Sequence, residues 1–212
     1  MTNRIQCLDM NAMDWVDFPP MNTPRSECQL ADLNGYLCVF GLNTKYVPSI
    51  EIYSFSTCKW NGLQPRYRPS EYSKITAHNG ILYILDFENG FLQFYDVSSN
   101  KWTSKAIGKS SLRNFGFAAT ESYLYVIGGN ENGEYMKTVK RYDLSNNSWC
   151  ELASLSRGLE HPTTKVLGSI ITICDGFNVE EYDIDIDKWN KLSCLPEEVR
   201  WTTVSISNTV FK

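Results

Sequence analysis

Arginine is the residue type whose spacing in this chain best suits the binding of an anion. Five arginine positions each lie 6 to 11 residues after a tryptophan, and they are Arg25, Arg66 with its neighbour Arg68, Arg113, Arg157 and Arg200. The planar guanidinium group binds a carboxylate or a phosphate through two parallel hydrogen bonds. The spacing therefore predicts a set of equivalent arginines. Each would bind either an anion of a partner or the carboxylate and carbonyl groups of its own fold.

Histidines and carboxylates show no comparable pattern for catalysis. The two histidines, His78 and His161, lie far apart in the sequence, and we expect no shared metal ion and no cofactor. Asp183, Asp185 and Asp187 alternate with other residues, which is typical of a solvated stretch. The chain also has no Gly-x-Ser-x-Gly, phosphate-loop, His-Glu-x-x-His or EF-hand motif. The sequence therefore predicts that the protein is not an enzyme.

The elements that carry the arginines repeat every 40 to 47 residues. This period is marked by five tryptophans, Trp15, Trp60, Trp102, Trp149 and Trp189. Each follows a pair of residues whose second member lies six positions before it, namely Leu8-Asp9, Tyr53-Ser54, Tyr95-Asp96, Tyr142-Asp143 and Tyr182-Asp183. Such a period indicates an array of supersecondary units that bury their apolar faces by stacking on one another. We expect the aspartates to accept hydrogen bonds at the turn that leads to each tryptophan.

Short apolar runs precede the Tyr-Asp pairs and predict buried strands. They are Tyr36–Phe40, Ile81–Leu85, Tyr123–Ile127 and Ser169–Cys174, and turn residues bound each of them. Runs of five or six apolar residues favour strands over helices. Each unit is therefore predicted to contain four antiparallel strands: one led by arginine, the apolar run, the Tyr-Asp strand and the tryptophan strand.

The third complete unit resembles a kelch repeat. It contains Tyr125-Val126-Ile127-Gly128-Gly129, then Val139-Lys140-Arg141-Tyr142-Asp143, then Asn147-Ser148-Trp149. The other units depart from this pattern at the glycine pair, which is replaced by Gly41-Leu42, Asp86-Phe87 and Asp175-Gly176. The resemblance covers nearly the whole chain. It implies an all-β fold, a kelch-type β-propeller of four-stranded antiparallel blades around a central channel.

We expect one propeller domain over residues 1–212, with four complete blades. The complete repeats are predicted at about 25–65, 66–110, 111–156 and 157–195, and partial repeats at about 1–24 and 196–212. Arg4–Asp9 and Met13–Phe18 resemble the last two strands of a blade, and Trp201–Ser207 resembles a first strand. Either these terminal strands join in a composite blade that closes the ring, or the blade is incomplete.

Two groups of residues receive different roles. The repeated structural core is assigned to Trp15, Trp60, Trp102, Trp149, Trp189, Tyr53, Tyr95, Tyr142, Tyr182, Gly128 and Gly129. In kelch proteins the partner binds at one mouth of the channel, and recognition is normally carried by loops that vary on a constant scaffold. The resemblance therefore implies a partner-binding set of Arg25, Arg66, Arg113, Arg157, Arg200, Tyr46, Asn130, Tyr135 and Phe177. Its arginines predict an acidic or phosphorylated partner segment, whereas the alternative is that they bind groups between blades.

The family resemblance also implies a cellular role for such a module. Many kelch propellers follow BTB and BACK domains in substrate adaptors of cullin-3 ubiquitin ligases. Only three residues precede Arg4, so neither domain is expected here. The protein would then take part in related substrate recognition or act as a decoy for the same partner. Actin binding is an alternative, whereas oxidation of a carbohydrate or alcohol is disfavoured.

Composition excludes several other classes. The net charge of −4 gives no concentrated basic surface for nucleic acid. No apolar stretch approaches the roughly 20 residues that cross a bilayer. The seven cysteines are odd in number and form no Cys-x-x-Cys motif, which favours reduced thiols. Because the first residues do not resemble a signal peptide, we expect a cytoplasmic protein.

Overall fold

Twenty β-strands form the part of the chain that the structure describes, which has no helix there. The structure is a computed structural model that describes residues 1–9, 11–159, 161–176 and 178–192. Accordingly, no helix of the described residues is long and apolar enough to span a membrane. The described cysteines are free thiols.

Four antiparallel sheets of four strands each are the blades of the propeller. Blade 1 contains β3 (Arg25–Asp32), β4 (Tyr36–Asn43), β5 (Pro48–Ser54) and β6 (Lys59–Leu63). Blade 2 contains β7 (Lys74–His78), β8 (Ile81–Asp86), β9 (Phe91–Asp96) and β10 (Lys101–Ala106). Blade 3 contains β11 (Gly116–Ala119), β12 (Tyr123–Ile127), β15 (Val139–Asp143) and β16 (Ser148–Glu151). Blade 4 contains β17 (Thr163–Leu167), β18 (Ile170–Cys174), β19 (Val179–Asp183) and β20 (Lys188–Lys191). The prediction of an all-β propeller with four complete blades is confirmed.

Two hairpins complete the described strands. Near the N-terminus, β1 (Ile5–Asp9) pairs with β2 (Asp14–Phe18) in the register that places Leu8 opposite Trp15. This hairpin is the expected third and fourth strand of a blade. In the loop that follows β12, β13 (Asn130–Glu131) pairs with β14 (Glu134–Tyr135), which the repeat pattern did not predict.

The first strand of every blade lies at the centre of the ring. β3 contacts β7, β7 contacts β11, and β11 contacts β17. These strands and the loops before them line a central cavity of about 1050 Å³. An arginine is predicted at or near the entry to each first strand. Arg25 begins β3, whereas Arg66, Arg113 and Arg157 lie in the loops that lead to β7, β11 and β17.

Apolar side chains of neighbouring blades share one core at each junction. Between blades 1 and 2, for example, Phe40 and Ile52 belong to the same buried cluster as Ile75 and Leu82. Equivalent clusters join blade 2 to blade 3 and blade 3 to blade 4. Each blade is therefore stabilised by the next one, as expected for a repeat protein.

The spacing between tyrosine and tryptophan follows from the register of each hairpin. Tyr53 lies directly opposite Trp60, and the other blades repeat this pairing with Tyr95 and Trp102, Tyr142 and Trp149, and Tyr182 and Trp189. The paired rings are 4.9–5.3 Å apart between centroids. In the turns between them, Asp96 Oδ1 accepts the backbone N–H of Ser98, and Asp143 Oδ1 accepts that of Ser145.

The tryptophans do not all have the same surroundings. Trp60 donates its indole N–H to the Pro19 carbonyl at 2.9 Å, and Trp189 donates to the Ala153 carbonyl at 2.8 Å. Both bonds reach the residues that follow the preceding hairpin. Trp15, in contrast, is 59% exposed, so the core position expected for it is not what the structure shows. Its hairpin has no first and second strand beside it within the described residues.

The predicted closure of the ring depends on residues 193–212, which lie outside the described residues. The composite or incomplete blade, the predicted strand Trp201–Ser207 and the extent of the domain to residue 212 therefore stay predictions. Arg200 and Phe177 of the predicted partner-binding set also lie outside the described residues.

Candidate functional site

Two kinds of loop meet at one end of the blades, and we call this end the loop face. The inter-blade loops lead to the first strand of a blade from the strand before it, and they are residues 19–24, 64–73, 107–115 and 152–162. The mid-blade loops join second and third strands, and they are residues 44–47, 87–90, 128–138 and 175–178. Because neighbouring strands are antiparallel, both kinds of loop lie at the same end of each sheet.

A buried polar residue of the third strand holds the preceding inter-blade segment in three of the blades. Glu51 accepts the backbone N–H groups of Asn22 and Thr23 at 2.9 and 3.0 Å. Gln93 binds both the N–H and the carbonyl of Tyr67 at 2.8 Å. In blade 4, Glu180 accepts a hydrogen bond from the Ser156 hydroxyl. Each of these residues lies two positions before the repeated tyrosine, a signal that alignment of the repeats contains but that the sequence reasoning missed.

The aspartates that replace the glycine pair in blades 2 and 4 also bind the inter-blade loop. In blade 3 a Cβ atom on Gly129 would lie 2.7 Å from the Arg113 carbonyl, so glycine lets the inter-blade loop approach directly. In blade 2 the carboxylate of Asp86 reaches the loop instead and accepts the N–H of Ser70 at 2.8 Å. In blade 4, Asp175 accepts a hydrogen bond from Arg157 of the inter-blade loop. At this position glycine lets the inter-blade loop approach closely, whereas aspartate binds the loop through its carboxylate.

Arg25 is a structural residue. Its side chain is 1% exposed and forms an ion pair of 2.6 Å with Glu51, whose side chain is also buried. The guanidinium further donates to the Ser49 carbonyl at 2.7 Å. These contacts match the alternative that the sequence left open, in which an arginine binds groups of its own fold, and they leave Arg25 unavailable to a partner.

Arg157 is also paired within the fold. Its Nη2 atom lies 2.5 Å from Oδ2 of Asp175, and the side chains are 44% and 4% exposed. Since the aspartate is buried, the arginine neutralises a charge that would otherwise be costly to bury. Arg157 therefore anchors its inter-blade loop while one side of the guanidinium faces solvent.

Arg66 and Arg68 are exposed on either side of Tyr67. The Tyr67 ring stacks on Phe91 with a centroid distance of 4.2 Å, and Arg66 lies 5.7 Å above the Tyr67 ring. Gln93 fixes the backbone of Tyr67 through two hydrogen bonds. The two arginines that flank Tyr67 therefore project from an ordered part of the loop. Among the described residues, neither arginine has a carboxylate oxygen within 4.0 Å.

Arg113, Asn130 and Tyr135 form a row across three neighbouring chain segments. The backbones of Arg113 and Asn130 exchange two hydrogen bonds of 2.8 Å in an isolated antiparallel bridge. Asn130 in turn pairs with Tyr135 in the small hairpin. Residues that pair directly across antiparallel strands point to the same face. Three residues predicted separately as partner contacts are thus brought together, and we call them the blade 3 row.

The guanidinium of Arg113 extends the row towards blade 2. Its Cζ atom lies 4.0 Å from the centroid of the Tyr72 ring. Arg113 is exposed and has no carboxylate oxygen within 4.0 Å among the described residues. A hydrogen bond to Glu71 is the main cause of a raised pKa at Tyr72, which the charge of Arg113 opposes. Tyr72 was not among the residues singled out from the sequence.

The hairpin of the row is held on both sides. The Ser110 hydroxyl donates to Glu131 at 2.9 Å, and the Met136 N–H donates to the Gly129 carbonyl at 2.8 Å. On the other side, a Cβ atom on Gly158 would overlap the Tyr135 carbonyl oxygen, so the two backbones touch. Tyr135 remains 50% exposed. The loop therefore presents Tyr135 in a fixed position.

Tyr46 lies on a separate part of the loop face. It occupies the mid-blade loop of blade 1 and is 73% exposed. Asn43 stabilises this turn, because its side-chain oxygen accepts the N–H groups of Lys45 and Val47. The loop of Tyr46 belongs to blade 1 and that of Arg113 leads into blade 3, so the structure does not bring these two predicted contacts together.

The central cavity has a different chemistry from the loop face. Its described lining contains no arginine, although Lys74, Glu27 and Glu71 are present. Burial lowers the pKa of Lys74, and the charge of Glu27 acts in the opposite direction. His78 and His161 both line the cavity, at opposite ends of first strands. No group of three or more metal-ligating side chains occurs among the described residues.

Comparison with known proteins points to one family. The Kelch motif matches residues 111–156. Kelch-like protein 11 of Homo sapiens is 33% identical over 114 residues, which are 50% of this chain and 16% of that protein. Kelch-like protein 23 of Homo sapiens is 21% identical over 226 residues, or 94% of this chain and 39% of that protein. The chain thus matches well under half the length of these relatives.

A solved structure supports the fold independently. The structure of YjhT superimposes with a TM-score of 0.71 at 16% sequence identity, covering 92% of this chain and 78% of that one. At such low identity this likeness concerns the fold alone. Combined with four described blades, it leads to one conclusion: the chain is a β-propeller, and the Kelch motif matches its third blade.

Proposed function

We propose that the chain is a protein-interaction module that binds an acidic segment of a partner on its loop face, with Arg113 as the main anion ligand. Kelch-like relatives support the general role of an interaction module. The observation that carries the specific proposal is the exposed guanidinium of Arg113, stacked on Tyr72 and aligned with Tyr135.

The arrangement of Arg113 suits anion binding for two reasons. Stacking on Tyr72 limits the orientations of the guanidinium, so less conformational entropy is lost when a carboxylate binds. A hydrogen bond to a charged group contributes about 1.5–3 kcal/mol. Because tyrosine and arginine are enriched at binding hot spots, the blade 3 row has a suitable composition for a protein contact.

The other predicted arginines divide into two classes. Arg66 and Arg68 are exposed on blade 2 and extend the cationic surface for a larger partner. Arg25 and Arg157 are engaged with Glu51 and Asp175, so they support the loops instead. The proposed site is therefore a part of the loop face, over blades 2 and 3, and not a full ring of arginines.

The resemblance to cullin-3 adaptors extends the proposal to the kind of partner. The bound protein would be one that a related adaptor recognises as a substrate, and this chain would compete with that adaptor for it. Addition of purified chain to a complex of such an adaptor and its substrate should then release the substrate. If the wild type releases no substrate, the decoy role is wrong, and if Arg113→Gln releases it equally, Arg113 is not the anion ligand.

Affinity capture from cell lysate with immobilised chain tests the central proposal. The wild type should retain a set of proteins that about 0.5 M salt elutes, because salt weakens contacts between exposed charges. Arg113→Gln should lose that set. Arg4→Gln is the matched control, because Arg4 is an exposed arginine on the N-terminal hairpin.

Two results would contradict this proposal. If the captured set is unchanged by Arg113→Gln, the anion ligand lies elsewhere. If the chain instead sediments with purified actin filaments, and Arg113→Gln does so equally, then the actin-binding alternative replaces it.

A further inference from the structure

Lys74 begins β7 and lines the central cavity at its loop-face end. The side chain is partly buried. Among the described residues, its amine makes no hydrogen bond and has no carboxylate oxygen within 4.0 Å. Lysine is seldom removed from water without a partner for its charge. Within the described part of the chain, Lys74 is therefore an amine that the fold does not use.

The corresponding residue of blade 1 shows what this position can do for the fold. Gln29 in β3 and Lys74 in β7 are equivalent, because each pairs with the residue just before the position of the glycine pair. The amide of Gln29 crosses to blade 2, where it donates to the Ser73 carbonyl at 2.9 Å and accepts the Ile75 N–H at 3.0 Å. Lys74 makes no corresponding bond to β11 among the described residues, so the junction of blades 2 and 3 does not depend on its amine.

The surroundings of Lys74 favour the neutral form of the amine. Burial lowers its pKa, and the charge of Glu27 opposes this shift without forming an ion pair. The other ionisable side chains that line this end of the cavity, within the described ranges, are Cys28, Glu71, Tyr72 and His161. The neutral amine is the form of lysine that reacts as a nucleophile, and burial is a common way of producing it.

The cavity can admit a small organic molecule to this amine. Its volume is about 1050 Å³, and sites for small molecules typically occupy about 300–1,000 Å³. The amine nitrogen of Lys74 can attack the carbonyl carbon of an aldehyde that enters the cavity. A carbon–nitrogen double bond forms, and the carbonyl oxygen leaves as water with the two protons of the amine. The product is an imine, and no oxidant or reductant is needed.

A neutral aldehyde suits this site better than an anion does. A bound anion requires the protonated ammonium group, which burial of Lys74 disfavours. It would also lie at the end of the cavity that carries Glu27 and Glu71, whose negative charges repel it. A neutral carbonyl compound is free of both costs.

We infer that Lys74 is a ligand-attachment site in the central cavity, where its amine forms an imine with a small neutral aldehyde. The site is separate from the anion site proposed at Arg113 and does not depend on the proposed function. It gives the central cavity a chemical role of its own.

Labelling of the full chain with glyceraldehyde tests this inference. Sodium cyanoborohydride reduces each imine to a stable secondary amine, and mass spectrometry of proteolytic peptides then measures the labelling of each lysine. Lys59 and Lys101 are matched references, because both are exposed and begin the fourth strand of a blade. At pH 7 we expect Lys74 to react at least about fivefold faster than either reference. The excess should disappear in urea that unfolds the chain.

Two variants test the surroundings of the amine. Glu27→Gln removes the charge that favours the ammonium form, so labelling of Lys74 should become about twofold faster or more, while Lys101 is unchanged. Lys74→Met should unfold at nearly the wild-type temperature, because the amine has no described partner within the fold.

Several results would overturn the inference. Labelling of Lys74 no faster than that of Lys101 in the folded chain means that its amine is not a reactive site. An excess that persists in urea, or no increase with Glu27→Gln, means that the cavity does not cause the reactivity. A large loss of stability in Lys74→Met means that the amine serves the fold instead. None of these results bears on the proposed function, which depends on Arg113.

Discussion

The hydroxyl group of Tyr182 donates a hydrogen bond of 2.7 Å to Oδ1 of Asp187. The same contact joins Tyr95 to Asn100 and Tyr142 to Asn147 in the preceding blades. In every case the acceptor residue has a positive φ of 51–59° and lies at the end of the turn before the tryptophan strand. Three blades therefore repeat a bond between a strand and its own turn, with asparagine or aspartate as acceptor.

Blade 4 should be sensitive to acid because its acceptor is the aspartate. The hydrogen bond from Tyr182, followed by that from the Ala153 N–H, lowers the pKa of Asp187. A carboxylate with a lowered folded pKa stabilises the fold above its unfolded value of about 3.9, and this stabilisation is lost as pH falls through the folded value. We expect Asp187→Asn to leave Tm nearly unchanged at pH 7 and to reduce its fall between about pH 5 and pH 3.

Thermal unfolding followed by circular dichroism measures this difference. Asn147→Asp is the reverse control, because it should add acid sensitivity to blade 3. Parallel curves of Tm against pH for wild type and Asp187→Asn would show that the bond does not couple stability to pH.

Arg25 and Arg113 should respond oppositely to the same substitution. Arg25→Gln leaves the buried carboxylate of Glu51 without its ion pair and should cost about 3–5 kcal/mol of unfolding free energy. Arg113→Gln removes an exposed group stacked on one ring and should cost about 1 kcal/mol or less. Urea denaturation at pH 7 gives both values. Equal losses would mean that Arg113 is as structural as Arg25.

Gly158 and Gly62 form a matched pair for the packing of the hairpin. A Cβ atom at Gly158 would overlap the Tyr135 backbone, whereas one at Gly62 would meet nothing within 4 Å. Gly158→Ala should therefore destabilise the protein by about 1–3 kcal/mol. Gly62→Ala should stabilise it by about 0.5–1 kcal/mol. A Gly158→Ala variant as stable as the wild type would show that the hairpin does not depend on this close contact.

Trp189 and Trp15 should differ although the repeat makes them equivalent. Trp189 packs against Tyr182 and donates its indole N–H to the Ala153 carbonyl, so Trp189→Ala should cost about 3 kcal/mol. Trp15 is largely exposed, and Trp15→Ala should stay within about 0.5 kcal/mol of wild type. A large loss for Trp15→Ala would show that other residues cover it in the folded protein.

The repeat pattern predicts the fold well because it encodes local pairings. A tyrosine seven residues before a tryptophan faces it across a short turn, and this local relationship recurs in all four complete blades. Four strands per blade follow from the same order of motifs. The hairpin of Asn130 and Tyr135 is not predicted by this pattern, since among the described repeats it occurs in blade 3 alone.

The roles of the individual arginines could not be read from spacing. Whether an arginine is buried depends on a third-strand residue 26 positions away in the case of Arg25 and Glu51. The row of Arg113, Asn130 and Tyr135 likewise depends on a bridge between two loops. Alignment of the repeats shows which positions correspond but not which side chains meet, so these contacts are found in the folded chain.

The blade 3 row is joined through main-chain hydrogen bonds between Arg113 and Asn130, which do not depend on the side chain at position 113. Substitution of Arg113 or of Tyr135 should therefore leave the platform intact while changing what it recognises. Over evolution, a protein built in this way can exchange one partner for another by single replacements. Binding specificity and folding are then under separate selection at these two positions.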